Sequence, residues 1–389
     1  MNNDVSPIQE GKRLEWIDAA RGFAIFGIFI VNIGAFGAPY FLYGGQMEIW
    51  MSDISQWTLE IIDIFFQASF YTLFSILFGF GIQMMKERTF VKGIPVYPFL
   101  VRRLTILFAM GAIHAFLIWH GDILLTYGFV GIILLLFLKL EARTKLIVGF
   151  ILLSGNVVFI TFLSYLSRNY LSIGNEARID QAFSNYQSNS LSIIWMQNYQ
   201  DWMYSNTPLT IFFLTLVLLP LFLFGMFLAE KRWLHEPNKH KSILWKLWTI
   251  SFVLFIGLKL GPYLLGNPRW FSFAQDNVGG TFSALFYIIS ITLIAGNKKG
   301  QKIIKPFTYV GRMALSNYIF QSIICFILFY GIGFGLYGKV SPLLGVLMVF
   351  IIYTCQILIS KWWVSRFRFG PLEWIWRSLT YWYRQPLRK

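Results

Sequence analysis

Charge is scarce in this 389-residue sequence. Only 13% of the residues are Asp, Glu, Lys or Arg, where a soluble domain carries about 25%. With 56% hydrophobic residues and a mean hydropathy of +0.58, that shortage excludes a soluble enzyme carrying a membrane tail. Cysteine is scarcer still. Cys325 and Cys355 both lie in apolar runs, so neither a disulfide framework nor a metal site is expected. There are four histidines. No Walker loop, dinucleotide glycine motif, zinc-ligand spacing or nucleophile elbow is present. GFGIQ at 79–83 reads as glycine within an apolar run. The first seventeen residues are largely polar and the first apolar run is long, so no cleavable signal peptide is expected. Acidic residues are few, 18 against 33 basic, for a net charge of +15. In a membrane protein that excess belongs to cytoplasmic loops, and no nucleic-acid partner is expected.

What is present is a series of apolar runs of about 20 residues, the length that crosses a bilayer. They predict an all-α, polytopic membrane helix bundle with about ten transmembrane helices. The spans are 18–36, 61–84, 101–119, 122–139, 146–166, 208–229, 243–265, 278–295, 308–330 and 342–360. Of the 33 Lys and Arg residues, 26 fall on the N-terminus (Lys12, Arg13 included), alternate loops and the tail. Four (Arg168, Arg178, Arg269, Lys339) fall on the other side, and Arg21, Lys259 and Arg312 lie inside spans. This asymmetry predicts both termini in the cytoplasm. Residues 1–360 then form one transmembrane bundle. Residues 167–207 form an extracytoplasmic loop with an interfacial helix, placing Trp195, Trp202 and Tyr204 in an aromatic belt, as an anchor or as a lid. Gln46 to Trp57 reads as a second interfacial piece. Residues 361–389, a basic aromatic cytoplasmic tail, read as an amphipathic helix on the anionic inner leaflet with no catalytic part.

Ionisable groups inside apolar spans are costly and are functional-site candidates. The hairpin Val101–Leu140 holds two of the four histidines. His114 lies about 16 Å from Arg103 by helix rise, near mid-membrane, and His120 lies about 25 Å away, near the outer face. A lone buried His is usually a satisfied core residue, and His120 reads equally as an exposed turn residue. Asp122, in the same WHGD turn, is placed to orient His120 and fix its tautomer. Asp18 and Arg21 share a helix face with Asn32, as a site lining or as a capping pair. Asp63, Gln67, Tyr71 and Ser75, each four apart, predict one continuous polar stripe, for a cavity or for helix–helix contact. Lys259 either snorkels outward or meets a carboxylate. Asn317 and Gln321 are also four apart. At the inner ends, Arg21, Arg102, Arg103 and Arg312 suit a phosphate or carboxylate, although inner arginines are common in any membrane protein. Asp63, His120, Asp122 and Tyr127 mark the outer ends.

RLEWIDAARGFAIFGIFIVNI (13–33) resembles the opening motif of the transmembrane acyltransferase superfamily. RRLTILFAMGAIHAFLIWHGDILLTYGFVG (102–131) and GRMALSNYIFQSIICFILFYGIGFGLYG (311–338) resemble signature blocks of YeiB-like bacterial membrane proteins. The likeness runs from about residue 13 to 380. That family, a domain of unknown function, is grouped with heparan-α-glucosaminide N-acetyltransferase. The resemblance implies a multi-pass protein of the bacterial cytoplasmic membrane. It implies transfer of an acetyl or acyl group from cytosolic acyl-CoA to an acceptor at the outer face, through an intramembrane His.

On that reading acetyl-CoA, or another acyl-CoA, is the donor, and no metal is needed. Arg21, Arg102, Arg103 and Arg312 would hold the CoA phosphates. His114 or His120 would act as general base or acyl carrier, with Asp122 orienting His120. Asn317 and Gln321 would donate to the oxyanion. Depth favours His114. Asp18, Asn32, Asp63, Gln67, Tyr71, Tyr127 and Lys259 would line the substrate path. The acceptor would be a small molecule or a cell-envelope glycan or lipid, with membrane lipids around the bundle and a homodimer as one possible assembly. Two other classes fit the composition: a secondary transporter for an anionic metabolite, and a non-catalytic scaffold.

Overall fold

The computed structural model describes residues 14–45, 49–171 and 174–389. Lys12 and Arg13, counted among the inner charges, lie outside the described residues, as do 46–48 of the outer interfacial piece and 172–173 of the outer loop. The chain is helical throughout. Among the described residues the only β feature is an isolated bridge between Phe367 and Arg388.

The principal helices are α1 (Glu15–Gly37), α2 (Asp53–Phe65), α3 (Ser69–Val91), α4 (Val96–Leu117) and α5 (Leu124–Leu134). Then follow α6 (Ala142–Leu166), α7 (Glu176–Tyr186), α8 (Leu191–Ser205), α9 (Pro208–Lys231) and α10 (Lys241–Lys259). The last five are α11 (Gly280–Ala295), α12 (Lys298–Gly311), α13 (Ala314–Phe329), α14 (Pro342–Arg366) and α15 (Pro371–Tyr381). Start signals are local. Thr207 accepts from the Thr210 amide and Ser341 from the Leu344 amide, each followed by proline at the first helical position. Those caps satisfy donors that a helix N-terminus leaves over, and proline has no amide to orphan.

Eight helical segments among the described residues are long and apolar enough to cross a membrane, or nine if a bent pair counts as one. The expected ten are not all of full length. The 122–139 span is α5 with a short 3-10 extension to Phe137, about 21 Å where a bilayer core needs about 30 Å. Its start is delayed because the chain is still turning at Asp122. The 308–330 span bends by 69° between α12 and α13, so the expected loop 297–307 is helical. The 61–84 span is interrupted at Phe66–Ala68, where Ala68 takes a left-handed φ of 61°. Asp63 and Tyr71 therefore belong to different helices, and the polar stripe is not continuous.

Packing follows small residues. A side chain at Gly79 or Gly225 would collide with the backbone of the partner helix, so α3 and α9 approach backbone to backbone, as membrane helices do. Outward faces stay apolar. Ile151, Val158 and Phe162 on α6, and Leu347, Ile351 and Leu358 on α14, are exposed. In water such a band would aggregate, and in lipid it is the solvent-facing surface.

The 167–207 segment holds two helices, α7 and α8, rather than one. The tail also differs from expectation. Its helix α15 docks on α4 and α13 instead of resting on the leaflet alone.

Candidate functional site

Helix α4 ends one turn beyond His114, where the Ile118 and Trp119 amides both bond the His114 carbonyl. The chain then reverses through 118–123. Gly111 lets α5 return against α4, since a Cβ there would meet the Leu125 nitrogen at 2.1 Å. This reversal brings Asp122 onto His114. Asp122 Oδ2 lies 2.6 Å from His114 Nδ1, and both side chains are essentially fully buried. Asp122 Oδ1 accepts from the Leu125 amide at 2.6 Å, capping α5. One carboxylate thus starts a helix and orients an imidazole. It does not orient His120, as the shared turn suggested, because the turn directs the two side chains to different neighbours.

With Nδ1–H donated to Asp122, the lone pair of His114 sits on Nε2. That atom is buried and has no hydrogen-bond partner. The Tyr318 ring centroid stands 5.2 Å from that of the imidazole. Its hydroxyl faces the Ile123 backbone amide without forming a well-directed hydrogen bond. Tyr318 was not expected. It follows Asn317 in the flagged block, about 100° around the helix from it, and only that proximity hinted at it.

His120 has other partners. Asp201 Oδ2 lies 3.7 Å from its Nδ1, and the Tyr186 hydroxyl 3.5 Å. Asp201 is already saturated by Tyr43 at 2.6 Å, Gln197 at 2.6 Å and Tyr186 at 2.7 Å. Burial, with Asp201 adding to it, raises the Tyr43 and Tyr186 phenols, so both stay protonated and donate. Burial lowers His120 below its ordinary value, with Asp201 and Asn198 opposing. A small cavity reaches His120 and Asp201 beside Tyr337. Helix α8 also closes the end of α4: Trp195 donates to the Leu117 carbonyl, and Asn198 to those of Ala115 and Phe116. Those are carbonyls a helix C-terminus leaves unpaired. Trp195 therefore caps the end of α4.

Toward the N-terminal end of α4, Arg103 stacks 3.6 Å over the Trp376 ring while Trp376 donates to the Arg103 carbonyl. Arg102 lies 5.6 Å from the Trp382 ring centroid. Arg21 pairs with Asp18 at 3.5 Å, and Arg103 feels the charges of Arg21 and Arg377. The Nε atoms of Arg102 and Arg103 are buried without hydrogen-bond partners. Arg312 occupies the bend between α12 and α13. Beside it, Glu373 of the tail accepts from the Leu315 and Ser316 amides and the Ser316 hydroxyl. Burial raises the Glu373 carboxyl while those bonds oppose the shift.

The remaining candidates form two other groups. Lys259 is fully buried and meets Asp276 at 2.8 Å, a carboxylate the sequence had not singled out. Nearby, Asp63 accepts from Tyr263 and Gln275, and Tyr71 donates to Asn277. Tyr127 bonds Ser75 at 2.6 Å and the Tyr71 carbonyl. Gln67 falls in the α2–α3 break, and Asn32 stays half-buried on α1. Asn317 donates to Ser360 and Gln321 to Gln356, while Gln356 returns a bond to the Asn317 carbonyl. Those amides join α13 to α14. Among the described residues no group of three or more His, Cys, Asp or Glu could hold a metal ion.

Fold and site together define a helical, multi-pass membrane protein with a buried His–Asp pair at a hairpin turn. The family model "Protein of unknown function (DUF418)" matches residues 228–383. The chain is 36% identical over 404 residues to "Uncharacterized protein YxaH" of Bacillus subtilis (strain 168), covering 100% of this chain and 99% of that one. It is 29% identical to "Uncharacterized protein YeiB" of Escherichia coli (strain K12), over 94% of this chain and 95% of the relative. It is 26% identical to an "Uncharacterized 39.9 kDa protein in amylase 3'region" of Bacillus acidopullulyticus, over 97% and 96%. The chain belongs to this YeiB-like DUF418 family. No solved structure gives a significant match.

Proposed function

We propose that this protein is a membrane acyltransferase that moves an acyl group from cytosolic acyl-CoA to an acceptor at the outer face. One observation carries the reading: His114 is buried, held through Nδ1 by Asp122, and bare at Nε2. That is the arrangement of an oriented general base. In the reaction, the acceptor hydroxyl or amine attacks the thioester carbonyl as His114 Nε2 takes its proton. Asp122 steadies the imidazolium. Tyr318, in place of Asn317 and Gln321, donates to the oxyanion. The C–S bond then breaks, and His114 returns the proton to the departing CoA thiolate. The buried, unpartnered Nε atoms of Arg102 and Arg103 support an anionic donor entering from the inner end, beside Arg21 and Arg312. The loop charges support ten spans in the bacterial cytoplasmic membrane with both termini inside.

The test is transfer from radiolabelled acetyl-CoA by the purified protein, compared with His114→Ala, His120→Ala and Tyr318→Phe. The Tyr318 variant is expected to lower kcat roughly 10²–10³-fold. Unchanged transfer in His114→Ala would sink the assignment.

A secondary transporter is favoured by a different observation. The α2–α3 break and the π-helical turn Gln275–Gly279 lie side by side, with Gly280 against Ala68, next to the buried Lys259–Asp276 pair. Adjacent broken helices with buried charge are how carriers build binding sites. Uptake of an anionic metabolite into proteoliposomes without CoA would favour this reading.

A further inference from the structure

The hairpin α7–α8 carries a groove of about 760 Å³. Its polar lining is Asn175, Arg178, Gln181, Gln200 and the phenols Tyr199 and Tyr204, with no carboxylate. The lining charge is therefore positive. Arg178 is one of only four Lys or Arg residues assigned to the outer side, where basic residues are disfavoured. Its guanidinium stands 5.0 Å over the Tyr204 ring, close to the Tyr43 hydroxyl. Tyr43 in turn donates to Asp201. A guanidinium has five donors, so most of this one remains for a ligand. The eleven-residue helix α7 begins at the same groove, since its cap Asn175 and first-turn residue Ala177 line the wall. Glu176 stands exposed in the first turn of that helix, so Arg178 and not the helix N-terminus carries the preference for an anion.

We infer that this groove binds a phosphate-bearing headgroup, with Arg178 on the phosphate and Tyr199 and Tyr204 flanking the remainder. Identifying that ligand as the acceptor rests on the acyltransferase reading; the binding itself does not. The phosphate can come from a membrane lipid or from a soluble phosphomonoester, and both present the same chemistry to Arg178.

The full-length protein in detergent is titrated, without donor, with glycerol 1-phosphate and with short-chain phosphatidylglycerol. Glycerol and a monoacylglycerol serve as uncharged controls. Saturable binding of the first probe alone assigns a soluble source, and of the second alone a lipid source. The uncharged controls should not bind. Arg178→Gln is expected to weaken binding at least tenfold, and Arg178→Lys less. Gln181→Glu, which places a carboxylate in the groove without touching Tyr43, is expected to abolish it and guards against misfolding of the arginine variants. Absence of binding to the wild type, or unchanged affinity in Arg178→Gln and Gln181→Glu, overturns the inference. Intact binding beside absent acyl transfer would remove the acceptor identification and leave the site.

Discussion

Two histidines stand six residues apart on one hairpin, each beside an aspartate, and the two pairs leave different atoms unused. At His114 the carboxylate is committed to the imidazole and to one helix cap, and the imidazole keeps a buried Nε2 without a hydrogen-bond partner. At His120 the carboxylate is saturated by two phenols and an amide, and the imidazole sits at its margin. Proximity of a histidine to an acid is therefore a poor guide to chemistry. The better guide is which group keeps unspent hydrogen-bonding capacity. The unspent atom is Nε2 of His114, while Asp201 fastens the α7–α8 hairpin to Tyr43.

The largest test of that contrast is His114→Ala. Its acyl transfer is expected to fall roughly 10²–10⁴-fold, against less than about tenfold for His120→Ala. Equal losses in a radiolabel assay would erase the distinction. Asp122→Asn comes next. It keeps the Oδ1 cap on Leu125 but turns an amide N–H toward Nδ1, which drives the imidazole proton onto Nε2. Transfer should drop on the order of 10²-fold with little change in melting temperature. Asp122→Ala should add a stability loss of about 1 kcal/mol, because the cap goes too.

Asp201→Asn should show the reverse pattern. It weakens charge-assisted bonds from Tyr43, Gln197 and Tyr186, for a stability loss of about 2 kcal/mol, while transfer per folded molecule is unchanged. A loss of transfer without a loss of stability would move the chemistry to the outer pair. The smallest effect is the pH dependence of His120. Its folded value is depressed by burial, so protons bind the unfolded chain more tightly. The stability of the neutral form is fully present above the ordinary histidine value of about 6.5. It is lost as the pH falls through that value toward the depressed one. Melting curves between neutral and mildly acidic pH should therefore slope less in His120→Gln than in wild type. Parallel slopes would show that His120 is not a buried neutral group.

Much of the frame was legible in the residues. Long apolar runs force helices in lipid, because no water is there to satisfy an open backbone. The expected spans 208–229 and 342–360 begin where α9 and α14 begin, at residues whose capping chemistry is local. The same logic made His114, Lys259 and the inner arginines suspect, since each is costly in an apolar run. Breaks were less legible. Nothing in Phe66-Gln67-Ala68 forbids a helix, and the left-handed turn at Ala68 exists where it packs on Gly280 of another span. Asn317 and Gln321 were read as facing a site because their spacing put them on one face. Spacing does not say which helix that face meets, and it meets Ser360 and Gln356.

The sequence by itself determined a multi-pass helical protein of this family and named both histidines as the groups to explain, because the cost of burying an ionisable group depends only on its surroundings' polarity. Tertiary structure alone decided the pairings. Asp122 reaches back eight residues to His114 because the backbone reverses at Ile118, and no periodicity encodes a reversal. His120 takes Asp201, and Arg103 takes Trp376, from 81 and 273 residues away. Contacts at that separation are set by how the helices pack, which sequence spacing cannot report.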